Sequence, residues 1–78
     1  MMTITHTKTH IILNRSGCEV ASVLKEKVHD FSVDVIGNNG VIDFDLYMSK
    51  PVRFALPKGE QFDNALLKLI NITDGMGI

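Results

Sequence analysis

The chain has 78 residues, 45% of them apolar and 22% charged, with a formal net charge of −1. That size leaves room for one hydrophobic core and no second domain, and the composition is that of a globular chain rather than a disordered one. The near balance of charge excludes the general basicity by which nucleic-acid-binding domains attract phosphate, and the single cysteine, Cys18, excludes an intrachain disulfide.

In chain order, residues 3–14, "TITHTKTHIILN", are rich in Thr and Ile and predict one extended strand. "SGCE" (Ser16 to Glu19) has the S-x-x-E form of a helix capping box. A helix over Gly17 to Val28 is expected to follow, with Val20, Val23, Leu24 and Val28 recurring as one buried stripe. Its three valines are β-branched, which keeps a strand as the competing reading.

"DFSVDVIGNNGVIDFDLYMS" (Asp30 to Ser49) alternates apolar and polar side chains on both sides of a Gly-Asn-Asn-Gly turn, the pattern of a hairpin. An even loop puts Phe31, Val33 and Val35 on the same face as Ile42, Phe44, Leu46 and Met48, and a slip of one residue would mix them with the aspartates. With Asn38-Asn39 as the turn, Val35 faces Ile42, Val33 faces Phe44, Phe31 faces Leu46 and Asp34 faces Asp43. The alternation resumes as Val52, Phe54 and Leu56 after a Ser49-Lys50-Pro51 loop, which would set Met48 beside Val52. "KGEQFDNALLKLIN" predicts a helix over Glu60 to Asn71 with a stripe of Phe62, Leu66, Leu69 and Ile70, and "TDGMGI" reads as a mobile tail over 73–78. The expected fold is a single α+β domain over 1–78, two-layered, with two helices on one face of an antiparallel sheet in the order β-α-β-β-β-α.

The residues with chemical potential are mostly acidic. Asp30, Asp34, Asp43 and Asp45 share the face away from the core with Ser32 and Tyr47, and like charges set opposite one another are destabilising by up to about 1 kcal/mol. Such a face either stays solvated and discourages edge pairing or docks on a basic surface of a partner protein. A cation held by Asp34, Asp43 and Asp45 is not expected, because flat strands splay their side chains. His6 and His10 lie about 13 Å apart on a continuous strand and do not converge on a metal. His29 reads as a cap at a helix end. Cys18 reads as a small buried hydrophobe, or else as a nucleophile in a first helical turn. No phosphate-cradling or nucleophile motif is present, so neither an enzyme nor a cofactor is expected.

The helix–meander–helix portion resembles double-stranded-RNA-binding domains in element order only. The last helix offers Lys68 alone where that family clusters basic residues, and the meander is acidic, so a nucleic-acid-binding domain ranks as the second alternative, behind the two readings that follow. The favoured expectation is a non-enzymatic module that binds a protein partner with a basic surface through Asp30, Asp34, Asp43, Asp45 and Tyr47. Occlusion of a host nucleic-acid-handling or defence complex by a phage or mobile-element protein is that kind of activity. The alternative is a structural subunit, such as a homodimer, joined through a sheet edge or through Leu67 and Ile72. The early apolar run Ile11-Ile12-Leu13 is too short for a signal or membrane segment, and the expected location is cytoplasmic.

Overall fold

The computed structural model describes residues 1–77 as six strands and one helix. They are β1 (Met2–His6), β2 (His10–Arg15), β3 (Cys18–Leu24), β4 (Val28–Ile36), β5 (Asn39–Leu46), β6 (Val52–Pro57) and α1 (Glu60–Met76). Two antiparallel three-stranded sheets, β1-β2-β3 and β4-β5-β6, are joined by a 3-10 turn at Lys25–Lys27. The β-α-β-β-β-α expectation is therefore corrected: the order is β-β-β-β-β-β-α, with two sheets and one helix among the described residues. The element order shared with double-stranded-RNA-binding domains goes with it, since the first helix does not form.

Two turns account for the difference. The strand read over 3–14 folds back at Lys8-Thr9, where the Thr7 N–H donates to the His10 carbonyl at 2.9 Å and the Thr7 hydroxyl accepts the His10 N–H at 3.1 Å. Alternation survives on both sides, with Met2, Ile4, Ile11 and Leu13 buried and Thr3 and Thr5 exposed. Ser16 and Gly17, read as the start of a helix, have φ of 50° and 83° and connect Arg15 to its register partner Cys18. Positive φ at both central residues is what a two-residue type I′ hairpin turn demands. The strand alternative for Gly17–Val28 is the one realised.

A bulge explains why that strand imitates a helix. Leu13 pairs with Ala21 but Asn14 pairs with Glu19, so Val20 is an extra residue on β3 and projects into solvent. Val20 is apolar without being buried, so counting it with Val23 and Leu24 gives an i, i+3, i+4 series whose members do not share a face. Ala21 and Val23, beyond the bulge, resume inward alternation.

The parity of the C-terminal meander is as read, but both registers differ. Ile36 pairs with Asn39, so the β4–β5 turn is Gly37-Asn38, with Gly37 at φ 59°. Glycine in the first central position is the mark of a type II′ hairpin, and it starts the turn one residue before the asparagine pair. Val33 thus faces Ile42, Phe31 faces Phe44 and Val35 faces Gly40. On the other side Phe44 faces Val52 and Ile42 faces Phe54, leaving Tyr47 to Pro51 as the loop rather than Ser49 to Pro51.

The core lies between the sheets under α1. Ile4, Ile11, Leu13 and Val23 of the first sheet join Ile42, Phe44, Phe54 and Leu56 of the second, with Phe62, Ala65, Leu69 and Ile72 from the helix. Phe54 meets Phe44 edge-on at 4.8 Å between ring centroids. The helix packs on β1 and β6, and the Met2 N–H donates to Gln61 Oε1 at 2.7 Å. Ile72 is buried and Ile70 exposed, the reverse of the expected stripe, because the helix straddles two sheets and shows each a different side. It continues past Asn71 to Met76, burying Thr73, and Gly77 closes it with φ 77°. The segment read as a tail therefore begins inside the helix; its last residue, Ile78, lies outside the described residues.

Candidate functional site

The face of the second sheet turned away from the core is built by strand alternation alone. Asp30, Ser32 and Asp34 of β4, Asp43 and Asp45 of β5, and Arg53 of β6 all point to that side. Asp30 is directly opposite Asp45, Ser32 opposite Asp43, and Asp43 opposite Arg53. The expected Asp34–Asp43 opposition is corrected: Asp34 faces Val41, a residue buried on this side and outside the main core cluster. Like-charge opposition persists with different partners.

Arg53 and Asp43 form the one ion pair among the described residues, Nε to Oδ1 at 2.8 Å, with a second hydrogen bond from Nη2 to Oδ2 at 3.3 Å. The Asp43 hydrogen bond, then the Coulombic pull of Asp43 and, more weakly, of Asp34, hold the guanidinium pKa above its usual value against a small opposing effect of burial. The β5–β6 register sets Arg53 opposite Asp43, which it occupies at both oxygens.

Asp30 and Asp34 behave differently. Asp30 Oδ1 accepts the N–H of Phe31 at 2.8 Å, and Asp34 Oδ1 accepts the N–H of Val35 at 2.7 Å. These are amides of the outermost strand of the sheet, so the two carboxylates lean across its open edge. Asp45 is exposed and makes no hydrogen bond or ion pair among the described residues.

Tyr47 stands beside these carboxylates, half exposed, just beyond the end of β5. Its ring stacks on His29 at 4.9 Å between centroids and 5° between planes. His29 is not a helix cap. Val28 pairs with Leu46 and Asp30 with Asp45, so His29 is the extra residue of a second bulge, which turns its ring toward Tyr47. Next to Tyr47, Met48 is fully exposed with φ 57°. Neither the stack nor Met48 is legible as a surface feature in the sequence; alternation extended past Leu46 predicts Met48 on the apolar face, but β5 ends at Leu46 and Met48 lies in the following loop.

No protein-family model matches the chain, and neither the curated proteins nor the solved structures provide a match.

The other residues considered for chemistry are dispersed. Cys18 is exposed at the start of an edge strand, neither buried nor in a helix. His6 Nδ1 lies 2.9 Å from Lys25 Nζ, and His10 Nδ1 lies 2.7 Å from the Thr9 hydroxyl. His6 and Lys25 line a cleft of about 410 Å³ between β1, the 3-10 turn and α1, together with Lys68 and Met76. No group of three His, Cys, Asp or Glu side chains among the described residues is placed to hold a metal ion. No helix among them is long and apolar enough to cross a membrane. For self-association, Leu67 is exposed, whereas Ile72 belongs to the core and is lost to that contact. What the acidic face offers chemically is a set of acceptors on one plane, suited to ammonium and guanidinium groups.

Proposed function

We propose that this is a small non-enzymatic binding module that acts by occlusion in the cytoplasm, laying the acidic face of its second sheet on a basic surface of a larger protein. The class of partner that fits is a nucleic-acid-handling or defence complex, with the carboxylates lying where phosphates otherwise lie, as a phage or mobile-element inhibitor of the anti-CRISPR or anti-restriction kind would act. The observation that carries the reading is the placement of four aspartates on one plane with a single guanidinium among them. Tyr47 and Met48 add exposed apolar area beside the charge, which an interface needs for affinity once opposite charges have steered the encounter.

A purely protective role for the same carboxylates, keeping the sheet edge from pairing, predicts a different outcome. The two separate in a capture experiment on immobilised protein at low and high salt, with short duplex DNA as competitor. The expected result is a partner that is retained at low ionic strength, released as salt screens the contact, displaced by the DNA, and lost to an Asp34→Lys/Asp45→Lys variant that still folds. Capture indifferent to salt, to DNA and to charge reversal at both positions would remove the acidic face from consideration.

A further inference from the structure

β4 is an open edge of a particular kind. Along an antiparallel strand the N–H groups point alternately to the two sides. The amides of Phe31 and Val35 turn away from β5, toward the Asp30 and Asp34 carboxylates, so Val33 between them presents its N–H on the same side. The row of donors is thus filled at two of three positions by flexible side chains of the preceding residues. The strand's two faces differ sharply at this edge. Outside stand Asp30 and Asp34, backed by Asp45; inside stand Val33 and Val35, 42% and 49% exposed. The helix does not reach over them: the Phe62 ring sits against Gly40, the register partner of Val35, where an added Cβ would come within 2.3 Å of it.

A strand added to this edge would place alternate side chains over carboxylates and over valines. Basic residues suit the first set and apolar residues the second. An incoming carbonyl takes over each amide as the carboxylate swings to a lysine or arginine, so no donor is left unpaired during the exchange. A second copy of β4 fits poorly. It would bring its own Asp30 and Asp34 to the same joint, setting four carboxylates along one pair of strands with no added cation.

The geometry points to β4 as the receiving edge for an extended segment of a partner protein in which basic and apolar residues alternate. This rests on the reading of the acidic face as a docking surface and specifies how the contact is made.

The probe is a nine-residue end-blocked peptide of alternating lysine and valine, with two analogues N-methylated on every second amide in the two parities. All three carry the same charge and side chains. Titration of the isotope-labelled protein should show the parent peptide slowing exchange of the Phe31, Val33 and Val35 amides at least tenfold. One methylated parity should bind at least tenfold more weakly while the other matches the parent. Val33→Pro removes the central outward donor without touching the β4–β5 ladder, and proline is tolerated at such an edge position; it should also weaken binding at least tenfold. If that variant fails to fold by circular dichroism, the methylated pair decides alone. Equal binding of both parities, still sensitive to salt, overturns strand addition and leaves the acidic face as a docking surface. No binding of any peptide at low salt overturns both. Protection of the same amides in the peptide-free protein, rising with its concentration, assigns the edge to a second copy and overturns the partner named here.

Discussion

At the scale of single residues, Met48 stands out for its backbone and its exposure. A methionine at φ 57° with its side chain wholly in solvent combines a left-handed backbone, costly for any residue but glycine or asparagine, with apolar exposure. Met48→Asn is expected to stabilise the protein by about 1 kcal/mol in chemical denaturation and, under the reading proposed above, to weaken capture of the basic partner. A variant that is more stable and binds equally well would show that Met48 contributes nothing to the interface. Arg53 is the counterexample, a surface residue with a clear structural task. Its pKa is raised by Asp43, so its contribution is complete below the ordinary guanidinium range and is lost only as pH rises through the raised value. The brace between β5 and β6 therefore stays charged throughout the neutral range.

At the scale of elements, the faces of the second sheet were legible and the pairings were not. Strand alternation fixes which side chains share a face for any turn of even length, and the observed pairings keep this parity, which puts Asp30, Asp34, Asp43 and Asp45 on one side. Register depends on the turn, and "IGNNGV" offers several two-residue turns that preserve parity; Gly37-Asn38 wins because glycine can lead with positive φ. The first sheet was hidden by two local features with ambiguous spelling. Ser16-Gly17 begins both a plausible capping box and a hairpin, and the bulged Val20 adds an exposed apolar residue that mimics part of a helical stripe. A direct check lies at the turn. Gly17 has no atom within reach of an added Cβ, so Gly17→Ala meets no clash and reports backbone conformation alone. It should cost about 1 to 2 kcal/mol, lowering Tm by roughly 5 to 15 °C. A raised Tm would be the helix's result, since alanine favours a helix over glycine by about 1 kcal/mol.

For the whole molecule, the arrangement sets a limit on how the protein assembles. Each sheet has an outer strand facing away from the helix, β3 in the first and β4 in the second. Exposed edges invite pairing with other chains, and the two are handled differently. β3 is interrupted by its bulge at Val20, which twists the ladder and breaks its row of donors. β4 is longer and continuous from Asp30 to Ile36, with Val33, Val35 and Ile36 exposed, so its protection falls to Asp30 and Asp34, which supply both charge and acceptors for the outward amides. Removing both functions at once should expose a strand that is apolar and unsatisfied. Asp30→Ala/Asp34→Ala is therefore expected to make the protein associate with rising concentration in sedimentation velocity more than the parent does, and adding Val33→Pro should reverse that by deleting the central donor. If the double alanine variant sediments as the parent does at the same concentrations, the carboxylates are not what holds β4 apart from its copies, and their hydrogen bonds to Phe31 and Val35 are incidental to assembly.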